Sequence, residues 1–247
     1  MFKKLLASVG IGGAKVDTIL LTDSVMPGGT FEAEVHIQAG EVEQDISGLD
    51  LALCTQVKVE NDEGTHWKTH TLQTWRVCEK RTLQAGETLT LPVSGQLHAE
   101  TPITQLPVVN NQTRVWLATG LDIDMALDAS DKDPLNIAPT PAIQACMAAM
   151  NNLGYDLFKA DVEAGFIRGR QFQSRSGCYQ ELEYRPTQRS WLGVKEVELS
   201  FIAEQHRTHV LVEIDRAFRG DGYRELTLEH SGISVETAQQ QLQQLLG

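Results

Sequence analysis

The sequence predicts an all-β (mainly β) fold in two units, and three observations carry that prediction. Apolar residues alternate with polar ones along most of the chain, and short Gly, Pro, Asn and Asp clusters punctuate the alternating runs. The 247-residue length exceeds the usual size of one domain and is enough to bury two moderate cores.

In residues 30–39, Phe31, Ala33, Val35, Ile37 and Ala39 share one face, and Glu32, Glu34, His36 and Gln38 share the other, the mark of a half-buried strand. Pro27-Gly28-Gly29 supplies a turn, so residues 16–22 and 31–39 are consecutive strands. Leu49, Leu51, Leu53, Val57 and Val59 mark a strand over 49–60, closed by Asn61-Asp62-Glu63-Gly64, and 65–77 returns beside it. After the turn Gln84-Ala85-Gly86-Glu87 come strands at 88–93 and 112–119, the latter with Val115 and Leu117 on one face and Trp116 on the other. Six or more short strands suggest a sandwich over residues 1–130.

From Asp122 to Pro141 the alternation gives way to Asp, Ala and Pro, which predicts an irregular segment and a boundary. Residues 131–154 therefore form a linker with one short helix, capped by Thr140, opened by Pro141 and stopped by Gly154. The second β unit, 155–247, carries strands at 157–164, 166–173, 179–184, 194–203 and 208–215, the last two joined by a hairpin at 204–207. Ser234 caps a terminal helix whose Val235, Ala238, Leu242, Leu245 and Leu246 form an apolar stripe. At the other end, Met1-Phe2-Lys3-Lys4-Leu5-Leu6 begins an apolar run too short for a membrane span; a short helix packed on the body is expected, with weak docking to a membrane surface as the alternative.

The net charge of −12 is spread over both halves, with 9 basic against 17 acidic residues in 1–130 and 12 against 16 in 131–247, which argues against nucleic-acid binding. Arg168, Arg170, Arg175, Arg185 and Arg189 are a local exception, diluted by Glu181 and Glu183 and read as a solvated strand face rather than an acidic-partner patch. Cys54, Cys78, Cys146 and Cys178 are far apart with no C-x-x-C pair, so free thiols in a reducing cytoplasm are expected.

Asp122, Asp124, Asp128, Asp131 and Asp133 could hold Ca²⁺ through oxygen, but the segment lacks a closing Glu, and turn formation is the better reading. His66 with His70 and His206 with His209 have metal-like spacing but no partner Cys or acidic triplet at diagnostic spacing, and ordinary surface or half-buried histidines are expected. Asp122 with Asp124, or Glu181 with Glu183, cannot by spacing alone be an acid/base pair. Neither a G-x-S-x-G elbow nor a phosphate loop is present in usable form. No catalytic, cofactor-binding or metal residue is assigned, and a binding module is expected rather than an enzyme. Trp67, Trp75, Trp116 or Trp191 could stack on sugar rings, which keeps a small-ligand or carbohydrate-binding sandwich as the alternative.

Several segments together resemble the SpoOM (sporulation-control) family. They are Met1 to Gly12 with Ala14-Lys15-Val16-Asp17-Thr18; the stretch from Thr101-Pro102-Ile103-Thr104 through Val115-Trp116-Leu117 and Thr119-Gly120-Leu121-Asp122-Ile123 to Asp131-Lys132-Asp133-Pro134-Leu135; Glu183-Tyr184-Arg185-Pro186; and Glu213 to Gly220. The resemblance covers nearly the whole chain. It implies an arrestin-like N-terminal sandwich, a second mainly β part, and a regulatory role without catalytic residues, linked in spore-forming bacteria to sporulation control. Protein partners bound at open strand edges and a weak homodimer follow as expectations. The chain departs from the family at Asp221-Gly222-Tyr223-Arg224-Glu225 and in its Gln-rich final helix, where a more apolar tail is expected.

Overall fold

The computed structural model describes residues 13–61, 64–124, 128–188, 193–216 and 222–247. The expected N-terminal helix, the tip of the 61–64 turn, Arg189 and Trp191 lie outside them.

The N-terminal half is a two-sheet sandwich. One sheet has the order β1 (Lys15–Leu20), β2 (Thr30–Gln38), β5 (Thr88–Gln96), all antiparallel. The facing layer is β4 (Gly64–Leu83), β3 (Gln44–Asn61), β7 (Val115–Ile123) and β8 (Ala129–Pro134). The alternation read in β2 places Phe31, Ala33, Val35 and Ile37 in the core, where Leu49, Leu51, Leu53, Leu117 and Leu121 meet them from the other sheet. A fully buried side chain of this size contributes about 1.5–3 kcal/mol, so this interior holds the two sheets together.

The C-terminal half is an antiparallel meander: β9 (Tyr155–Ala164), β10 (Cys178–Pro186), β11 (Val194–Ala203), β12 (Arg207–Arg216) and β13 (Gly222–Glu229). It joins the larger N-terminal sheet where Lys58 of β3 pairs in parallel with Glu163 of β9, and the two-residue β6 (Asn110–Asn111) pairs with β9 alongside. Helices α1 (Pro141–Asn152) and α2 (Val235–Leu246) cover one face of the meander, burying Val197, Leu199, Val210, Val212, Leu226 and Leu228 beneath Cys146, Ala149, Met150, Ala238 and Leu242. This unit is thus a sheet backed by helices, not a second two-sheet sandwich.

Both helices start as their sequences indicate: Ile143 N–H donates to Thr140 Oγ1 and Thr237 N–H to Ser234 Oγ. Gly154, at φ +82°, takes the left-handed conformation that ends α1.

Three readings are corrected. The segment from Asp122 to Pro141 is not irregular throughout, because β7 runs to Ile123 and Ala129–Pro134 pairs with it as β8. Residues 166–173 form no long strand: Gly169 N–H donates to Phe172 O, the Phe172 ring closes over Gly169, and one bridge joins Arg168 to Gln173. β13 was not anticipated.

Candidate functional site

The uncovered face of the meander is lined with carboxylates. Alternation along β9 turns Lys159, Asp161 and Glu163 to this face, and the register sets Glu181 opposite Asp161 and Glu183 opposite Lys159. Glu198 lies opposite Glu183, Glu213 opposite Glu198, and Tyr223 opposite Glu213. Two lysines compensate part of the charge. Lys159 Nζ lies 2.9 Å from Asp161 Oδ2 and hydrogen-bonds Glu183, while Lys58 Nζ is 2.8 Å from both Glu60 and Glu163 and 3.8 Å from Asp161. Burial lowers the affinity of Lys58 for its proton, but the hydrogen bonds it donates to Glu163 and Glu60 and the nearby charges outweigh it and hold its pKa well above the ordinary lysine value. At the border, Arg185 pairs with Glu196 at 3.3 Å and sits 3.6 Å above the Phe158 ring.

Glu181 and Glu198 receive no such partner among the described residues. Burial, then Glu198, Asp161, Glu163 and Glu183, push the Glu181 carboxyl up to about 8. Burial, then Glu213, Glu183, Glu196 and Asp161, push Glu198 to about 7. Asp161 is fully buried: its Oδ2 lies 2.9 Å from the Lys159 ammonium, and its Oδ1 has no donor among the described residues. Oxygens of Asp161, Glu181 and Glu183 lie within 4.8 Å of one another, as do those of Glu183, Glu196 and Glu198.

The groups singled out in the sequence are arranged differently. Asp124 accepts from Ser47 and lies 3.4 Å from Lys80, Asp128 accepts the Ile123 N–H at 3.0 Å, and Asp131 accepts the Thr18 N–H at 2.7 Å, tying β1 to β8. Asp133, half-buried beside Asp131 and Asp17, is pushed up to about 6 by burial first and those charges second, while Asp122 is exposed. Asp124, Asp128 and Asp131 hold turns and link strands; among the described residues, groups of three or more acidic side chains at metal-ligand spacing occur on the meander face and not here.

His70 Nε2 lies 2.6 Å from Ser176 O, and His206 is exposed in the β11–β12 hairpin. His209, 1% exposed, stacks on Phe172 at 4.8 Å and bonds Thr227 at 2.9 Å. Trp67 is 41% exposed; Trp75 packs edge-on against Phe31, and Trp116 is buried under Lys132. Arg168, Arg170 and Arg175 are exposed on the 165–177 loop around a cavity of about 1070 Å³, away from Arg185. All four cysteines are free, and burial raises Cys146 to about 12 and Cys178 to about 11.

The profile of the SpoOM protein family matches residues 2–218. The chain belongs to the SpoOM protein family. It is 37% identical over 220 residues to the sporulation-control protein spo0M of Bacillus subtilis (strain 168), spanning 89% of this chain and 82% of that protein. It also matches the crystal structure of Spo0M, sporulation control protein, from Bacillus subtilis with a TM-score of 0.82 at 31% identity, covering 96% of this chain and 98% of that one. The two-sheet N-terminal sandwich is consistent with the arrestin-like architecture the resemblance implied.

In this SpoOM-family chain β13 and α2, Gly222–Glu229 and Val235–Leu246, lie beyond the matched residues. The apolar stripe of α2 is occupied within the chain: Ala238, Leu242 and Leu246 are buried in the core that includes α1. The outer edge of β13 is free of strand pairing among the described residues. His230 N–H donates to His206 O at 2.7 Å, so by the antiparallel alternation the N–H groups of even residues 222–230 point to β12 and those of Glu225, Thr227 and Glu229 point outward. Among the described residues, no helix is long and apolar enough to cross a membrane.

Proposed function

We propose that this chain is a cytoplasmic regulatory protein of the sporulation-control type that acts without catalysis, as an adaptor binding protein partners by strand addition. The observation that carries the reading is the β13 edge. It offers outward N–H groups along an eight-residue strand that contains no proline, backed by a rigid meander and two helices. The likeness to the Bacillus protein supports the regulatory part. A weak homodimer would use the same edge, because the apolar face of α2 already has its dock.

The test is complementation of Bacillus subtilis cells lacking spo0M with the wild-type chain, Glu225→Ala and Glu225→Pro. Proline at this outward-facing position removes a donor from the edge without removing a β12 bond, and alanine controls for the lost side chain. Wild type and Glu225→Ala are expected to restore sporulation, and a folded Glu225→Pro is not. Restoration by all three would sink edge recognition; restoration by none would sink the sporulation role.

A small-ligand or carbohydrate-binding reading draws on Trp67, which lines a cavity of about 380 Å³ with Gln56, Arg114 and Lys132. It requires Trp67→Ala to abolish saturable binding on a glycan array.

A further inference from the structure

The meander face presents an electrostatic imbalance that its own side chains do not resolve. Asp161, Glu181 and Glu183 are brought together by neighbouring strands β9 and β10, and the cation closest to them is Lys159, shared by Asp161 and Glu183. Lys58 is already held at 2.8 Å by both Glu60 and Glu163 and stands 3.8 Å from Asp161. Three carboxyl groups against one shared lysine leave a formal surplus of two negative charges when all three are ionised. Desolvated charges of one sign at this spacing are costly unless a proton or a cation joins them.

The second observation is Asp161 itself. It is fully buried, its Oδ1 accepts from no donor among the described residues, and one of its oxygens lies within 4.8 Å of oxygens of both Glu181 and Glu183. A buried acceptor without a donor calls for an explanation, since such groups are nearly always satisfied. The neighbouring Glu181, with no cation of its own among the described residues, borders a cavity of about 110 Å³ shared with Tyr179, Glu198, Ser200, Glu213 and Tyr223. That space is large enough to admit water, which needs about 10–15 Å³ of such volume.

We propose that Asp161, Glu181 and Glu183 bind one hard divalent cation of calcium's size on the open face of the meander, with water from the adjoining cavity completing its shell. The donor set is oxygen only, which selects Ca²⁺ or Mg²⁺ over thiolate- and imidazole-seeking metals. Calcium is preferred: Ca–O bonds of about 2.3–2.6 Å span oxygens up to nearly 5 Å apart, whereas Mg²⁺ demands a tighter octahedron. Glu198 and Glu213 add negative potential from beyond the first layer of ligands. The site is independent of strand addition at β13 and stands or falls separately.

The test is calcium titration by calorimetry at pH 7.5 on chelator-stripped full-length protein, comparing wild type, Glu181→Gln, Asp161→Asn and, as a remote acidic control, Asp122→Asn. Wild type and Asp122→Asn are expected to bind one Ca²⁺, and Glu181→Gln to bind at least about tenfold more weakly. Ca²⁺ is also expected to raise the melting temperature of wild type, and to raise that of Glu181→Gln less at the same concentration, a readout that needs no activity. Glu181→Gln removes repulsion, so it is expected to fold. Absence of saturable Ca²⁺ or Mg²⁺ binding in wild type up to about 10 mM, above the range of the weakest protein calcium sites, would overturn the proposal and leave protons as the neutralising partner. Stoichiometric binding retained by both Glu181→Gln and Asp161→Asn would overturn it equally.

Discussion

Glu181→Gln is expected to stabilise the protein at neutral pH, against the usual outcome of altering a half-buried polar residue. In the folded chain the Glu181 carboxyl is pushed from its ordinary 4.5 to about 8, first by burial and then by Glu198, Asp161, Glu163 and Glu183. Because the folded value lies above the unfolded one, the folded state holds the proton more firmly. That contribution is fully present below about pH 4.5 and is lost as pH rises through about 8. At 1.36 kcal/mol per pH decade the gap between 4.5 and about 8 sets a ceiling of about 5 kcal/mol, which partial exposure to solvent reduces to about 1–2 kcal/mol. Glutamine keeps the shape and does not ionise. Urea unfolding of both proteins in chelator at pH 5, 6.5 and 8 is the assay. The variant's advantage is expected to grow from near zero at pH 5 to about 1–2 kcal/mol at pH 8. A variant less stable than wild type at pH 8, or an advantage that does not change with pH, would refute the electrostatic reasoning.

Leu242→Ala removes a fully buried α2 side chain from the core shared with α1 and the meander. It is expected to cost about 3 kcal/mol, read as a fall of roughly 6–12 °C in melting temperature by calorimetry. A Cβ at Gly95 would stand 2.7 Å from Phe31 Cε1 and 2.9 Å from Trp75 Cε2. Gly95→Ala is therefore expected to destabilise by about 1–3 kcal/mol in urea unfolding, with altered tryptophan emission. Of the thiols, Cys54, Cys146 and Cys178 are buried and Cys78 is half-buried. An aromatic disulfide reagent is expected to label Cys78 alone in the native protein and all four cysteines in denaturant, with mass spectrometry locating each adduct.

The core was legible where alternation met a strand buried on one face. Phe31, Ala33, Val35 and Ile37 read as a core face and form one, and Thr140 with Pro141 marked the start of α1. β8 escaped because it is a polar strand: Asp131, Lys132 and Asp133 carry no apolar alternation, and pairing with β7 holds the segment in place. β13 hid among charged residues, with only Leu226 and Leu228 buried. The 166–173 segment misled because Phe166, Ile167 and Phe172 resemble a strand's apolar residues, while Gly169 lets the chain fold back on itself. The carboxylate face was half visible. Asp161 with Glu163, Glu181 with Glu183 and Glu196 with Glu198 are each spaced to share a strand face, but only the pairing of β9, β10 and β11 places the three pairs side by side. Register is a property of the assembled sheet that no single segment encodes.

Affinity purification of the tagged protein from its native cells, with wild type, Glu225→Ala and Glu225→Pro run in parallel and retained proteins quantified by mass spectrometry, tests strand-edge recognition most directly. The prediction is a reproducible partner held by wild type and Glu225→Ala and lost from a correctly folded Glu225→Pro. Equal retention by all three, or no partner on wild type, would contradict it.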